Sequence, residues 1–168
     1  MQGKRPGDTA VVMAHRVQPS QTNAAGNIHG GEILKLIDSA AGVVAQRHAR
    51  CNCVTASIDR VDFWEPIFVG ELVFIKASIN FVGRSSMEIG VRVEAENIHT
   101  GVVRRTNSCY VTFVALDKLG RPTPVAPLIL ESETEHRRFH EAERRRKLRK
   151  AAIRAERKAQ EKKLENGK

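Results

Sequence analysis

Apolar residues between positions 30 and 45 recur with the spacing of an α-helix. The stripe is made of Ile33, Ile37, Ala40, Ala41 and Val44. Leu34, Leu36 and Val43 extend it around most of the circumference, which is more than a surface helix requires. The pattern therefore predicts a helix beginning at Gly30 that the rest of the chain must surround.

The period of the apolar pattern changes to two after this helix, which is typical of β-strands. A short strand is predicted at 9–17, before the helix, and longer strands at 53–64, 72–81, 87–96 and 103–116. Because short glycine-containing links join the four later strands, we expect them to form an antiparallel meander. The economical packing is an α+β fold, in which a long antiparallel sheet wraps around one central apolar helix.

The last 38 residues have a different composition from the rest of the chain. The protein carries a net charge of +9, and residues 131–168 account for +6 of it. This stretch has no proline, no glycine before Gly167, and mostly Glu, Lys, Arg and Ala, which favour helix. The pattern predicts a long, exposed, basic helix over 133–163, within a C-terminal extension at 131–168.

The basic extension raises an alternative function, which is binding of nucleic acid or another anionic surface. The run Arg144-Arg145-Arg146-Lys147 would attract phosphate at low salt. Glutamates are interspersed among these cations, and aromatic residues make up only 5% of the chain, which leaves little stacking capacity. We therefore expect no nucleic-acid partner, and a chain ending at Ser132 should keep its chemistry.

Several classes of protein and site are not supported by the sequence. No apolar run reaches the roughly 18 residues of a membrane span, and residues 1–8 lack a signal-peptide core, so we expect a soluble cytoplasmic protein. Cys51, Cys53 and Cys109 fit neither a disulfide framework nor a zinc site, and buried free thiols are expected. No Gly-x-Ser-x-Gly elbow or His-Glu-x-x-His motif occurs, so we predict no metal site.

Five segments of the chain carry a family resemblance. They are GNIHGGEILKLID at 26–38, VTASID at 54–59, FWEPI at 63–67, GRSSME at 83–88 and FVALD at 113–117. In this order and spacing they resemble the hotdog-fold acyl-CoA thioesterases, in the branch with small bacterial acyl-CoA thioesterases and the cytosolic acyl-CoA hydrolases of animals. The resemblance covers residues 8–125, the expected thioesterase domain, and excludes the basic extension.

The resemblance implies that the protein hydrolyses acyl-CoA to a fatty acid and coenzyme A, with no cofactor. It also implies a homo-oligomer, with a dimer as the minimal unit and a hexamer as the expected assembly. The active site would lie at the dimer interface, between an acidic residue from the helix of one subunit and an asparagine from a loop of the other. A noncatalytic acyl-CoA-binding protein on the same fold is the remaining alternative.

The resemblance assigns catalytic roles to Asp38 and Asn27. Helix pattern alone would place Asp38 at the surface or opposite an arginine, because a buried unpaired carboxylate is costly. Next to a thioester carbonyl it would act as a general base toward water or as a nucleophile through an anhydride, and both routes stay open. Asn27, from the partner subunit, would orient the water or bind the reacting centre; a turn-forming role is the alternative.

The resemblance also marks residues around the carbonyl and the CoA moiety. His29, Gly30 and Gly31 would form an oxyanion loop at the start of the helix, where free amides favour negative charge; a plain helix-entry turn is the alternative. The expected CoA-binding residues are Val54, Thr55, Ala56, Gly83, Arg84, Ser85 and Ser86. Arg84 would supply a cation for phosphate, although 83–86 also suits an ordinary hairpin turn. Trp64 is expected to pack rather than stack on adenine.

Overall fold

The architecture is one curved antiparallel sheet with helices on both faces. The computed structural model describes residues 1–166, with side chains as far as residue 161. Its helices are α1 (Pro6–Thr9), α2 (Gly30–Ala49) and α3 (Glu133–Asn166), with a short 3₁₀ turn at Pro19–Gln21. Its strands are β1 (Val11–Arg16), β2 (Asn52–Ile58), β3 (Asp62–Phe63), β4 (Leu72–Val82), β5 (Ser86–Glu96) and β6 (Val103–Leu116). The predicted α+β class is confirmed.

The order of the strands corrects one prediction. The sheet runs β1-β4-β5-β6-β2, and β3 pairs with β6 on the same side as β2. Consecutive strands β4, β5 and β6 form the expected meander, but β2 lies at the opposite edge from β1 instead of next to β4. The reason is that β1 and β5 already occupy both sides of β4. The segment after β3 therefore crosses from one side of the sheet to the other.

The helix α2 fills the concave face of the sheet, as its apolar circumference predicts. Its stripe residues Ile33, Ile37, Ala40, Ala41 and Val44 are 0–1% exposed. They pack against inward-facing residues of β4, β5 and β6, including Ile75, Ile89 and Val111. Burying a large aliphatic side chain of this kind is worth about 1.5–3 kcal/mol.

No helix within residues 1–166 is long and apolar enough to cross a membrane.

The helix α3 is not exposed along its whole length, which corrects a second prediction. In its first half Ala142 is fully buried, and the ring of Phe139 lies 4.9 Å from that of Phe81 on β4. Arg145 places its guanidinium 3.6 Å from the ring centroid of Tyr110 on β6. The basic segment therefore covers part of the convex face of the sheet.

Charge pairing attaches α3 to the sheet. Glu88 on β5 is only 2% exposed, and its two oxygens accept hydrogen bonds from Arg145 at 2.7 Å and from Arg149 at 2.8 Å. Arg149 also pairs with Asp59. The hydrophobic pattern of the sequence does not predict this contact, because arginines and only a few apolar residues form it. Of the six cations at 144–150, Arg145 and Arg149 are thus paired with carboxylates of the same chain.

A buried histidine gives the protein a testable pH dependence. His48 is 1% exposed; its Nε2 lies 2.8 Å from the carbonyl oxygen of Ala126, and its Nδ1 has no partner. Burial lowers the pKa of His48. Below about pH 6.5 this histidine is therefore protonated more readily in the unfolded chain than in the folded chain. The free energy of unfolding decreases as the pH falls through this range.

We expect His48→Gln, which keeps an N–H donor for Ala126, to remove part of this acid sensitivity. The measurement is the unfolding midpoint by circular dichroism at pH 7.5 and pH 5.5. His99→Gln, at an exposed histidine, is the control and should keep the wild-type difference between the two pH values. An unchanged difference in His48→Gln would contradict the assignment.

Candidate active site

Asp38 lies two turns into α2, where the helix passes the edge strand β2. The hydroxyl of Thr55 on β2 donates a hydrogen bond of 2.6 Å to Asp38 Oδ1. Within residues 1–161 no lysine or arginine forms an ion pair with Asp38, so the alternative of an arginine partner is not observed. The carboxylate is half-buried, one oxygen is oriented by a hydroxyl, and the other is available.

The surroundings of Asp38 form a depression at the open edge of the sheet. Its volume is about 420 Å³, and its walls include Gly42, Val43, Val54 and Phe113. The side chains of Val43 and Val54 are 39% and 42% exposed. An unpaired strand edge flanked by exposed valines is a surface that another strand can cover.

Asn27 lies in a different part of the chain surface from Asp38. The loop before α2 turns at Gly26, whose φ of +79° suits glycine, and Asn23 Oδ1 accepts hydrogen bonds from the amides of Ala25 and Asn27. Asn23 and Asn27 line a second depression of about 390 Å³, whose lining does not include Asp38. One chain therefore does not bring its own Asn27 and Asp38 into one cavity.

The start of α2 is organised by His29. Its Nδ1 accepts the amide of Gly31 at 2.9 Å, and its carbonyl oxygen accepts the amide of Glu32 at 2.9 Å. His29 is thus the N-cap of the helix, and the Gly31 amide predicted for the oxyanion is already occupied. Gly30 keeps an amide with no partner in the described chain, so it is the better candidate.

Gly30 also allows close packing at the rim of the second depression. A Cβ at this position would lie 3.3 Å from the ring of Phe63, which is tighter than ordinary contact. A larger residue would have to displace this ring, so the glycine allows Phe63 to pack against the start of α2.

The residues predicted to bind CoA lie at one end of the sheet. The turn at 83–86 joins β4 to β5, with the amide of Gly83 bonded to the carbonyl oxygen of Ser86 at 2.7 Å. Ser86 pairs with Val114 of β6, which in turn pairs with Val54 of β2. The two predicted segments are therefore about 10 Å apart, with one strand between them. Arg84 is exposed at this end of the sheet.

Two contacts made by arginines lie near the second depression. Trp64 is 52% exposed, and the guanidinium of Arg105 lies 5.0 Å from its ring centroid, so the ring packs against a cation at the surface. Glu71 is 6% exposed and makes two 2.7 Å hydrogen bonds with Arg104. Arg104 lowers the pKa of Glu71, which keeps this carboxylate charged and fixes the loop between β3 and β4.

Two of the three cysteines, Cys53 and Cys109, offer no activated nucleophile. Cys53 and Cys109 are buried, and burial raises the pKa of each to about 12. Their thiols are protonated at neutral pH and unreactive. Cys51 is half-buried. The prediction of buried free thiols is confirmed for Cys53 and Cys109.

Comparison with protein families and curated proteins places this geometry in a known group. Residues 25–102 match the description "Thioesterase superfamily". Protein VdlD of Helicobacter pylori is 41% identical over 84% of this chain and 80% of its own length. The cytosolic acyl coenzyme A thioester hydrolase of Homo sapiens is 38% identical over 79% of this chain, which spans only 36% of that protein.

Solved structures share the fold over nearly the whole chain. An apo-hexameric acyl-CoA thioesterase has a TM-score of 0.87 and 35% identity over 91% of this chain and 98% of its own. An acyl-CoA hydrolase from Staphylococcus aureus, in complex with butyryl coenzyme A and coenzyme A, has a TM-score of 0.86 and 30% identity over 96% of this chain and 98% of its own.

Three further structures of the Staphylococcus aureus hydrolase carry single alanine substitutions. They replace an aspartate, an asparagine 15 positions before it, and a threonine 17 positions after it. With 35–41% identity to thioesterases and their relatives over most of its length, and with the same curled sheet around one helix, the chain belongs to the thioesterase superfamily and is a thioester hydrolase with the hotdog fold.

Proposed function

We propose that the protein hydrolyses acyl-CoA thioesters to fatty acid and coenzyme A, at sites completed between two copies of the chain. The observation that carries the proposal is the oriented carboxylate of Asp38 in a depression at an open strand edge, apart from the amide loop. The names of the relatives support the acyl-CoA substrate. Coenzyme A is part of the substrate, and no further cofactor is proposed.

The edge strand β2 supports the dimer. Antiparallel pairing of β2 with its counterpart in a second copy would satisfy the free backbone groups and cover Val54, Ile58 and Val43. A two-fold axis at this edge makes every contact occur twice, so two equivalent sites arise. Assembly of three such dimers into a hexamer is part of the proposal, in line with the hexameric neighbour.

The chemistry follows from one carboxylate and one helix start. In the general-base route, Asp38 of one copy takes a proton from water while the water oxygen bonds to the thioester carbon. The Gly30 amide of the other copy stabilises the oxyanion. The carbon–sulfur bond then breaks, and the protonated carboxyl returns its proton to the leaving thiolate. In the anhydride route, Asp38 attacks the thioester carbon, the carbon–sulfur bond breaks with release of the thiolate, and water hydrolyses the mixed anhydride and supplies the proton of the thiol. Attack of ¹⁸O water on the aspartyl carbon of the anhydride would label the carboxylate of Asp38.

The distance along the sequence from Asp38 indicates which asparagine the partner subunit supplies. Asn23 precedes Asp38 by 15 positions, and Thr55 follows Asp38 by 17, the spacings of the three residues substituted in the Staphylococcus aureus hydrolase. Asn27, only 11 positions before Asp38, does not fit this pattern. Both asparagines line the same depression. We therefore assign the partner-supplied amide to Asn23, whose Oδ1 also accepts the backbone amides that hold this turn, and no catalytic role to Asn27.

Mixing inactive subunits tests the shared site. Asn23→Ala and Asp38→Ala proteins should each be nearly inactive, and a 1:1 mixture should recover about a quarter of wild-type activity. The reason is that half of the dimers are mixed and each regains one of two sites. Release of free thiol from acyl-CoAs of short to long chain is the measurement.

The control for this experiment is the Asn27→Ala variant. It should keep much more activity than Asn23→Ala, and an equal loss in both would return Asn27 to the catalytic role. No recovery in a mixture shown by mass spectrometry to have exchanged subunits would contradict the shared site. Binding of acyl-CoA by the wild type with no thiol release would instead favour the noncatalytic alternative.

A further inference from the structure

The inward-facing row of β6 contains one residue that does not belong in an apolar core. The row consists of Asn107, Cys109, Val111, Phe113 and Ala115, all 0–3% exposed. Four of them pack against α2 as apolar residues or thiols. Asn107, at the end of the row nearest the start of α2, is an amide with no exposed surface.

The side chain of Asn107 is only half satisfied. Its Nδ2 donates a hydrogen bond of 3.2 Å to the carbonyl oxygen of Asp62, while its Oδ1 is buried with no partner. The orientation of the amide is determined, because only the NH₂ group can bond to a carbonyl oxygen. A buried acceptor without a donor is costly and calls for an explanation.

Asn107 is part of the lining of the depression that holds the amide loop. Asn107 lines this depression together with Asn23 and Gly30, and its other walls are mostly apolar, including Ile28, Ile33 and Ile67. The site therefore combines one free backbone donor, the Gly30 amide, with one free buried acceptor, Asn107 Oδ1. The donor suits a carbonyl oxygen, and the acceptor suits a hydroxyl group.

We propose that Asn107 Oδ1 holds the water that attacks the thioester. This inference rests on the proposed function. A water has two hydrogens, and its lone pair faces the carbonyl carbon only when both hydrogens are directed elsewhere. One is donated to the carboxylate that removes it, the partner's Asp38, and the other to Asn107 Oδ1. During attack the water oxygen bonds to carbon, the first proton passes to the carboxylate, and the second stays on oxygen.

The test replaces the acceptor with an apolar group of similar size. In Asn107→Leu, kcat should fall about 10- to 100-fold while KM changes less than about threefold, because water and not acyl-CoA loses a contact. Thr112→Val is the matched control. It removes another buried unpartnered oxygen from β6, outside the depression, and should leave kcat unchanged.

Competition with hydroxylamine separates this role from a structural one. Hydroxylamine attacks the same carbonyl and gives a hydroxamate, without needing a water held at Asn107. The ratio of hydroxamate to acid should rise at least about tenfold in Asn107→Leu and stay constant in Thr112→Val, with folding and subunit assembly checked by circular dichroism and light scattering.

An active, folded Asn107→Leu protein with wild-type kcat, with a changed KM alone, or with an unchanged hydroxamate ratio would overturn the inference. Failure of the proposed function gives a different result, namely no thiol release from any acyl-CoA by the wild type. In that case the inference falls with it.

Discussion

Asp38→Ala should lose turnover by at least about 100-fold, and up to about 10,000-fold, while remaining folded. Asp38→Asn should lose nearly as much, because an amide keeps the shape and the hydrogen bond from Thr55 but can neither accept a proton at neutral pH nor attack a carbonyl. Thr55→Val should lose less, since it removes only the orientation of the carboxylate. Release of coenzyme A thiol at saturating acyl-CoA measures the effect.

The control for Asp38 is Asp117→Asn, at a half-buried aspartate in the turn after β6 whose Oδ1 accepts the backbone amides of Leu119 and Arg121. This variant should lose some stability but keep its turnover. Retention of more than about a tenth of wild-type kcat by Asp38→Ala would remove Asp38 from the catalytic role.

The double variant Arg145→Met/Arg149→Met should be destabilised by about 3–5 kcal/mol, the usual cost of leaving a buried charge without its partners. Both arginines pair with Glu88, which is 2% exposed beneath α3. Adding Glu88→Met should recover much of the loss, because the contact then becomes apolar throughout. Urea unfolding followed by circular dichroism gives the free energies of unfolding.

Replacement of two exposed arginines of the same helix, Arg144→Met/Arg154→Met, is the matched comparison and should cost less than about 1 kcal/mol. Equal stability of the two double variants would contradict a structural role for the Glu88 pairs. Turnover per folded molecule should be the same in both, since these pairs lie on the convex face, away from Asp38.

The elements of this fold are readable from the sequence because each follows from local spacing. The stripe through Ile33 and Ile37 predicts a helix from Gly30, and the helix begins there; alternation predicts a strand over 103–116, and β6 has those bounds. The partner of a strand is not a local property, which is why β2 was expected beside β4. Nor does spacing reveal that α3 docks through arginines, because charged residues look the same on an exposed and on a docked helix.

The candidate site, like the fold, is only partly predictable from the sequence. Asp38 stands out in the sequence as an acid in an apolar helix, and the motif around Gly30 identifies the helix start. The hydrogen bond from Thr55 and the separation of the two depressions depend on tertiary structure. Asn107 is noticeable in the sequence because it interrupts an apolar alternation. Only the structure, with its buried unpartnered oxygen, indicates a functional reason for this interruption.

The polar contact between α3 and the sheet affects the solubility expected for the protein after proteolytic removal of α3. The face of the sheet beneath the helix presents Ser78, Asn80, Glu88, Tyr110 and Thr112, with Phe81 as the one large apolar ring among them. An apolar sheet face exposed by cleavage becomes a nucleus for aggregation, whereas a face of hydroxyls, an amide and a carboxylate is readily hydrated. A chain cut near Ser132 should therefore stay dispersed, and the separability of residues 131–168 stays a prediction that such a fragment can test.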